Sequence, residues 1–197
     1  MLGIATKLLV QRQLRFEAGH MILLGQKICM MPIHTIGKIQ LELKRHKSEN
    51  FIYYATKESG YDWWKGMKKK FHTTKINEML EWGIKIMSLA GWGNVTILKV
   101  DSENKEITYK IENSSIASYI GRSGDSEDHI FRGYLAGSNE YFFAVESDAI
   151  EVKCTSKGDS YCVIIAKPTK ALTQKDKDVS RQLKLPPHSK IKTTNIQ

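Results

Sequence analysis

The sequence predicts a single α+β domain in which an antiparallel sheet packs against several helices. Apolar residues recur at helical spacing between residues 32 and 90, two later segments alternate as strands do, and a β-hairpin with a glycine turn follows near the C-terminus. Such a domain buries the apolar face of its sheet under helices. With 197 residues, of which 41% are hydrophobic, the chain can form one packed core.

The first half of the chain predicts a hairpin followed by helices. Residues 13–31 favour two strands with a turn at residues 17–20, because short apolar segments flank a Gly-containing polar stretch. Pro32 is typical of a helix start, and apolar residues trace one face to about residue 47. Two shorter helices are predicted over residues 51–58 and 61–71.

A fourth helix and two strands come next. Thr73 or Thr74 is a suitable N-cap for this helix, and Gly91 is a suitable end. Residues 95–100 and 106–111 then predict two strands joined by a turn.

The last part of the domain predicts a loop, a helix and the closing C-terminal β-hairpin. Residues 121–127 form a polar loop, in which Ser126 is expected to cap a helix that runs to about residue 143. We therefore expect three parts in the chain. They are an N-terminal segment (1–12), the folded domain (13–167) and a basic, Pro-containing C-terminal tail (168–197).

The charge distribution argues against a nucleic-acid partner. The formal net charge is +9, but residues 167–197 hold eight Lys and Arg and only two Asp, so that +6 belongs to the tail. We expect this tail to be a solvated extension. No apolar run approaches the roughly 20 residues of a membrane span. An odd number of cysteines and no signal-peptide pattern at the N-terminus indicate a cytoplasmic protein without a disulfide framework.

Two of the three cysteines flank the turn of the closing hairpin. Gly158 can adopt the positive φ that a three-residue loop over residues 157–159 requires. A loop of that length places Cys154 opposite Cys162, with Cβ atoms about 5 Å apart. The two sulfurs would then be close enough to bind a soft metal ion or to be oxidised together. Cys29 lies in an apolar stretch and is expected in the core.

Four motifs resemble landmarks of the 4-vinyl-reductase-type domain, over roughly residues 14–167. This domain occurs in archaeal hydrocarbon-binding proteins, in accessory proteins of bacteriochlorophyll synthesis and in the sensor domains of phenol-responsive activators. In chain order, the motifs are Gly91-Trp92-Gly93, Asn113-Ser-Ser-Ile-Ala117, Asp128-His-Ile-Phe-Arg-Gly133-Tyr-Leu-Ala-Gly137, and Glu151-x-x-Cys154 followed by Cys162.

The resemblance implies a fold shared with small subunits of the vesicle-tethering (TRAPP) complex, and a tendency to form homodimers. It also implies a zinc ligand set. In the phenol sensors this set is one upstream Cys, the Glu of the Glu-x-x-Cys motif and two hairpin Cys. Carried over, three ligands are Glu151, Cys154 and Cys162, and the fourth position falls on Asp128, with His129 as a substitute.

Two interpretations of this hairpin remain open, a metal site and a pair of buried thiols. A regular strand would place Glu151 and Cys154 on opposite faces, because their separation is odd. A metal site therefore requires a β-bulge between them.

Three residues are candidates for ligand binding. Gly133 and Gly137 lie on one face of their helix, where the missing side chains serve either close helix packing or a cavity wall. Trp92 belongs to a set of aromatic and Met residues that either lines an apolar pocket or forms ordinary core. The phenol sensors carry an aromatic ligand-contacting residue at the position of Ile111, so the resemblance does not support a phenol ligand.

The function predicted from these observations is binding of a small hydrophobic molecule by a homodimeric sensor, carrier or accessory module. We identify no nucleotide-binding motif and no catalytic residue, and whether the protein is an enzyme stays undecided. Two alternatives remain. The first is a protein-interaction or tethering subunit without a ligand, and the second is an accessory factor in tetrapyrrole synthesis.

Overall fold

A computed structural model describes residues 11–67, 75–173 and 175–183. The strands are β1 (Leu14–Glu17), β2 (His20–Leu23), β3 (Gln26–Ile28), β4 (Asn94–Asp101), β5 (Glu106–Glu112), β6 (Ser147–Lys153) and β7 (Cys162–Pro168). The helices are α1 (Ile33–Arg45), α2 (Glu49–Met67), α3 (Ile76–Leu89), α4 (Ser115–Ile120), α5 (His129–Phe143) and α6 (Lys177–Gln182). None of these helices is long and apolar enough to cross a membrane.

The predicted α+β class is confirmed, but the strands form two antiparallel sheets rather than one. The larger sheet has the order β4-β5-β7-β6, and β1-β2-β3 form a separate meander. The prediction of a two-stranded hairpin over residues 13–31 is wrong. Tight turns at residues 18–19 and 24–25 each place two consecutive residues at positive φ. This is the geometry of a two-residue hairpin loop of type I′, so the segment contains two hairpins.

The single helix α2 replaces the two helices predicted over residues 51–58 and 61–71, of which residues 68–71 lie outside the described part of the chain. Gly60, which lies between the two predicted helices, is inside α2 and against the backbone of Tyr134. A Cβ atom at Gly60 would overlap the Tyr134 carbonyl oxygen, so the glycine permits a close helix approach instead of ending the helix.

The predicted boundaries of the next helices were partly correct. Helix α3 ends before Gly91, which has φ +84°, as expected. The caps proposed at Thr73 and Thr74 lie outside the described residues. The cap proposed at Ser126 is wrong, because α5 begins at His129 and the Ser126 hydroxyl donates to the backbone oxygen of Glu151.

Helix α5 lies between the larger sheet and α2, and it carries much of the main core. Phe131 and Leu135 pack with Ile107, Ile111 and Ile164 of the sheet. These side chains are almost completely buried, and their contacts fix the position of α5 relative to β5 and β7.

The segment 175–183, expected to belong to a solvated tail, instead includes α6 and packs on the domain. Val179 and Leu183 are buried in the main core, and Gln182 is buried beside β6. Asp176 accepts backbone hydrogen bonds at the N-terminus of α6, which is a standard cap. The folded domain therefore extends to at least residue 183.

The close packing of α2 on α5 can be tested with Gly137→Ala. A Cβ atom at Gly137 would overlap the backbone oxygen of Lys57, which cannot move without shifting α2. We expect a loss of about 1–3 kcal/mol in the free energy of unfolding, measured by urea denaturation.

Gly66→Ala is the matched control, because its Cβ would meet only the flexible end of the Gln26 side chain. We expect no loss, or a gain of up to about 1 kcal/mol from helix propensity. Equal effects of the two substitutions would contradict this account of the α2–α5 contact.

Candidate metal and ligand sites

The closing hairpin contains the β-bulge that a metal site requires. The pairing of β6 with β7 shifts register between Glu151 and Lys153. This irregularity brings the side chains of Glu151 and Cys154 to the same side of the strand. Cys162 begins β7 and pairs with Ile111 of β5, so that its thiol lies beside them.

The predicted proximity of the two thiols is confirmed, although the loop that joins them differs from the prediction. A 3-10 turn over Thr155–Lys157 replaces the three-residue loop, and Gly158 has φ +104°. The Ser156 hydroxyl donates to the backbone of α4, at Ala117. The sulfurs of Cys154 and Cys162 lie 4.0 Å apart.

Three potential ligands converge at this point. One carboxylate oxygen of Glu151 and the sulfurs of Cys154 and Cys162 all lie within 4.8 Å of one another, and all three residues are buried. The backbone N–H of Thr155 points to the Cys162 sulfur at 3.4 Å, a contact that favours thiolate character.

Asp128 borders the same cluster. Its backbone N–H donates to Glu151 Oε2 at 3.2 Å, and its Oδ1 accepts a 2.6 Å hydrogen bond from the hydroxyl of Ser114. Within the described structure, Asp128 Oδ2 and Glu151 Oε1 are buried without a hydrogen-bond partner. Buried carboxylate oxygens are normally paired, so these two atoms are suited to accept a cation or a proton.

The pKa values in the cluster reflect the same crowding of acidic groups. Burial raises the pKa of Asp128 to about 6 and, together with the charge of Asp128, raises the pKa of Glu151 well above its usual range. A hydrogen bond from Cys162 lowers the pKa of Cys154 to about 5, while the same contact and burial raise the pKa of Cys162. Without a cation, the cluster can therefore hold only part of its full negative charge.

The donor set suits a divalent cation of the zinc type. Zn²⁺ accepts Cys sulfur together with Asp or Glu oxygen in a tetrahedral site, and it keeps its thiol ligands deprotonated. Glu151, Cys154, Cys162 and Asp128 would supply four such donors. Because protein atoms would occupy all four positions, this site would be structural rather than catalytic.

The ring of His129 lies against residues other than the Glu151, Cys154 and Cys162 cluster. Its Nδ1 lies 2.9 Å from a guanidinium nitrogen of Arg132, and its Nε2 lies 4.0 Å from the carboxylate of Glu127. Burial, followed by the charge of Arg132, lowers the pKa of His129 well below its usual value. Asp128 thus contacts Glu151 of the cluster, whereas the His129 ring contacts Arg132 and lies near Glu127.

Two apolar cavities adjoin the meander and α3; the smaller one is also bordered by α5, and the larger one by α1. Their volumes are about 210 and 560 Å³, and they share Trp92 and Ala90 as lining residues. The smaller cavity reaches Phe131 and Tyr134 on α5, and the larger one opens along Phe16, Met30 and other exposed apolar residues. Together they provide a mostly hydrophobic space of the size that small ligands occupy.

The candidate ligand residues take different positions in this arrangement. Trp92 lines both cavities and packs edge-to-face on Phe131. Gly133 and Gly137 contact the backbone of α2 instead, so their missing side chains serve helix packing. The expectation that Cys29 is a core residue is wrong, since it is exposed just after β3 and lines both cavities.

Two buried polar residues near the Glu151, Cys154 and Cys162 cluster are not among the site residues predicted from the sequence. Arg132 could have been found as a charged residue that directly follows Ile130 and Phe131 in a largely apolar helix. Gln182 gave no such signal, because it lies in a polar segment. Its amide nevertheless makes two 2.8 Å hydrogen bonds to the backbone N–H and oxygen of Glu151.

Comparisons with known proteins agree on the fold. No family model and no curated protein sequence matches the chain. The phenol-responsive sensory domain of the transcription activator PoxR, solved with phenol, is 19% identical, with 89% of this chain and 94% of that domain covered and a TM-score of 0.70. This similarity establishes a shared fold.

Two further structures show weaker similarity. A vinyl-4-reductase family protein from Methanocaldococcus jannaschii is 24% identical, with 71% of this chain and 83% of that chain covered and a TM-score of 0.48. Trafficking protein particle complex subunit 3 from Naegleria fowleri, covalently bound to palmitic acid, is 12% identical over 68% and 93%, with a TM-score of 0.47. Because phenol-responsive sensor domains are among the proteins that the sequence motifs resemble, the similarity to the PoxR sensory domain confirms this resemblance for the fold.

Proposed function

We propose that this protein binds a small hydrophobic molecule in the apolar cavities beside Trp92, as a sensor, carrier or accessory module. The observation that carries the proposal is the 210 Å³ cavity, which is lined almost entirely by apolar side chains. Clefts and cavities lined mainly by hydrophobic and aromatic side chains are the usual binding sites of small ligands. The fold shared with a phenol-responsive sensory domain supports the same function.

The lining of the smaller cavity favours a ligand less polar than phenol. The contacts available there come from Trp63, Trp92, Phe131 and aliphatic residues, and the ring of Tyr134 brings the one hydroxyl among the lining side chains. Ile111, at the position where the phenol sensors carry an aromatic residue, is completely buried in the core. A molecule that is held mainly by apolar contacts fits this environment.

The ligand hypothesis can be tested with Ala90→Phe, since Ala90 is exposed and lines both cavities. Binding of the neutral apolar dye N-phenyl-1-naphthylamine is measured by its fluorescence. The larger ring should fill ligand space and weaken dye binding by about tenfold or more.

Ala55→Phe is the matched control, because Ala55 is an exposed position on α2 away from the lining residues. It should leave dye binding unchanged. Native mass spectrometry of the purified wild-type protein would also report any ligand that it already carries. Unchanged dye binding in the Ala90 variant would exclude these cavities as the binding site.

We further propose that Glu151, Cys154, Cys162 and Asp128 bind one structural zinc ion. The support is the convergence of three donors within 4.8 Å and the two orphaned buried carboxylate oxygens. Zinc would neutralise the crowded acidic groups and hold the 3-10 loop of the hairpin against β7. It would thereby stabilise the domain and would not take part in ligand chemistry.

Cys154→Ser tests the zinc site. Elemental analysis should find about one zinc per wild-type chain and none in the variant, because serine is a poor zinc ligand in this geometry. The melting temperature should fall by more than about 5 °C. Cys29→Ser removes an exposed thiol elsewhere and should change neither value. If the wild-type protein has no zinc and both hairpin thiols react freely, the pair of buried thiols is the correct interpretation.

We also propose that the protein forms a homodimer through the apolar surface around the larger cavity. Phe16 and Met30 are 66% and 81% exposed, Met31 is also exposed, and all three line this cavity. A contiguous patch of exposed apolar side chains usually marks a surface that binds another molecule. A second copy of the chain would cover them in a symmetric contact.

Met30→Glu tests the dimer. A buried carboxylate in an apolar interface is costly, so light scattering after size-exclusion chromatography should give the monomer mass for the variant and the dimer mass for the wild type. Leu98→Glu, at a 55% exposed position on β4, is the matched control and should remain dimeric. A monomeric wild-type protein would contradict the proposal.

A further inference from the structure

A third cavity differs from the other two in being polar. Its volume is about 70 Å³, enough for several water-sized groups. It lies where the end of α1, the start of α2, the start of α5 and α6 meet. The lining includes Lys44, Glu49, His129, Arg132, Arg181 and Gln182, none of which lines the apolar cavities.

Arg132 is the main reason to regard this cavity as a binding site. Its side chain is only 1% exposed, and no carboxylate of the described residues lies within ion-pair distance of it. Two of its N–H groups donate to the backbone oxygens of Ala149 and Gln182, and a third faces His129 Nδ1. A guanidinium has five N–H donors, so two remain, and one of them is the buried, unpartnered Nε–H.

His129 supplies a second unused donor. Because a guanidinium can only donate, the 2.9 Å contact makes His129 Nδ1 the acceptor and places the ring proton on Nε2. That Nε2–H lies 4.0 Å from the Glu127 carboxylate, too far for a hydrogen bond. Arg132 and His129, which both line the cavity, thus each keep an N–H donor without a hydrogen-bond partner among the described residues, and that of Arg132 is carried by a buried positive charge. This combination is typical of sites that bind oxyanions.

The acidic residues restrict which oxyanion could enter. Asp125 is already paired with Lys44 at 3.4 Å and with Arg181 at 3.5 Å. Glu49 differs, because its buried Oε2 has no hydrogen-bond partner among the described residues. A free carboxylate repels a fully deprotonated anion but accepts a hydrogen bond from one that carries a proton.

We propose that this cavity binds a protonated oxyanion of the phosphate type. The guanidinium of Arg132 and the Nε2–H of His129 would donate hydrogen bonds to its oxygens. Glu49 would accept a hydrogen bond from its P–OH group. Lys44 and Arg181 also line the cavity, and both are already paired with carboxylates. Inorganic phosphate and a small phosphate monoester share this chemistry, and the cavity excludes sulfate, which has no proton to give at neutral pH.

Calorimetric titration of the full chain with inorganic phosphate, glycerol 3-phosphate and sulfate, at matched ionic strength, tests the proposal. We expect phosphate to bind with a dissociation constant of about 1 mM or lower, and sulfate at least about tenfold more weakly. Binding of phosphate alone would indicate the free ion, whereas comparable binding of the ester would indicate the terminal group of a larger molecule.

Glu49→Gln is the deciding variant. A glutamine donates a hydrogen bond and carries no charge, so this variant should lose the preference and bind sulfate at least as well as phosphate. Glu58→Gln, an exposed position on the same helix, is the matched control and should keep the wild-type preference. Glu49 makes no buried ion pair within the described structure, so both variants are expected to fold.

Three results would overturn the proposal. The first is no binding of phosphate up to about 10 mM, together with no rise in melting temperature, which any ligand of the native state would cause. The second is equal binding of phosphate and sulfate to the wild type. The third is a phosphate preference that Glu49→Gln leaves unchanged, since binding would then occur elsewhere on this basic protein.

Discussion

The close contact between α2 and α5 is the constraint on which the rest of the structure depends. Gly60, Gly133 and Gly137 bring the two helix backbones together, and any side chain at these positions would overlap main-chain atoms. The first turn of α5 is thereby fixed, so that Asp128 meets the hairpin and Arg132 meets the polar cavity. The same contact places the ring of Phe131 against Trp92 in the wall of the apolar cavity.

A buried polar network connects this helix pair to the sheet. The hydroxyl of Tyr53 donates to Asp148 at 2.8 Å and accepts the backbone N–H of Ala149, while Lys57 forms an ion pair with Asp148 at 3.0 Å. Burial and the charge of Asp148 raise the pKa of Tyr53, so this hydroxyl remains a donor. Because each of these polar groups is the hydrogen-bond or ion-pair partner of another, breaking one contact would leave a buried polar atom unpaired. The network therefore fixes the register of α2 against β6.

Local patterns in the sequence predicted the fold class, the strands of the larger sheet and the closeness of Cys154 to Cys162. Periodicity and turn residues act over short distances, so these features can be read from neighbouring residues. The role of Gly60 could not, because it depends on a carbonyl group 74 positions away in the chain. The same limit applies to Gln182, whose burial depends on its meeting β6. Asp128 was identified through a motif, whereas its contact with Ser114 required the structure.

The amide of Gln182 also affects whether another polypeptide can pair with the outer strand β6 of the larger sheet. It stands where the peptide group of a neighbouring strand would lie, and it occupies both backbone hydrogen-bonding groups of Glu151. Strand β6 is an outer strand, and unpaired outer strands are the usual templates for aggregation. Another polypeptide could pair at this point only after displacing α6. Helix α6 thus protects this point of β6 from intermolecular strand addition, and β4 is the other outer strand of the larger sheet.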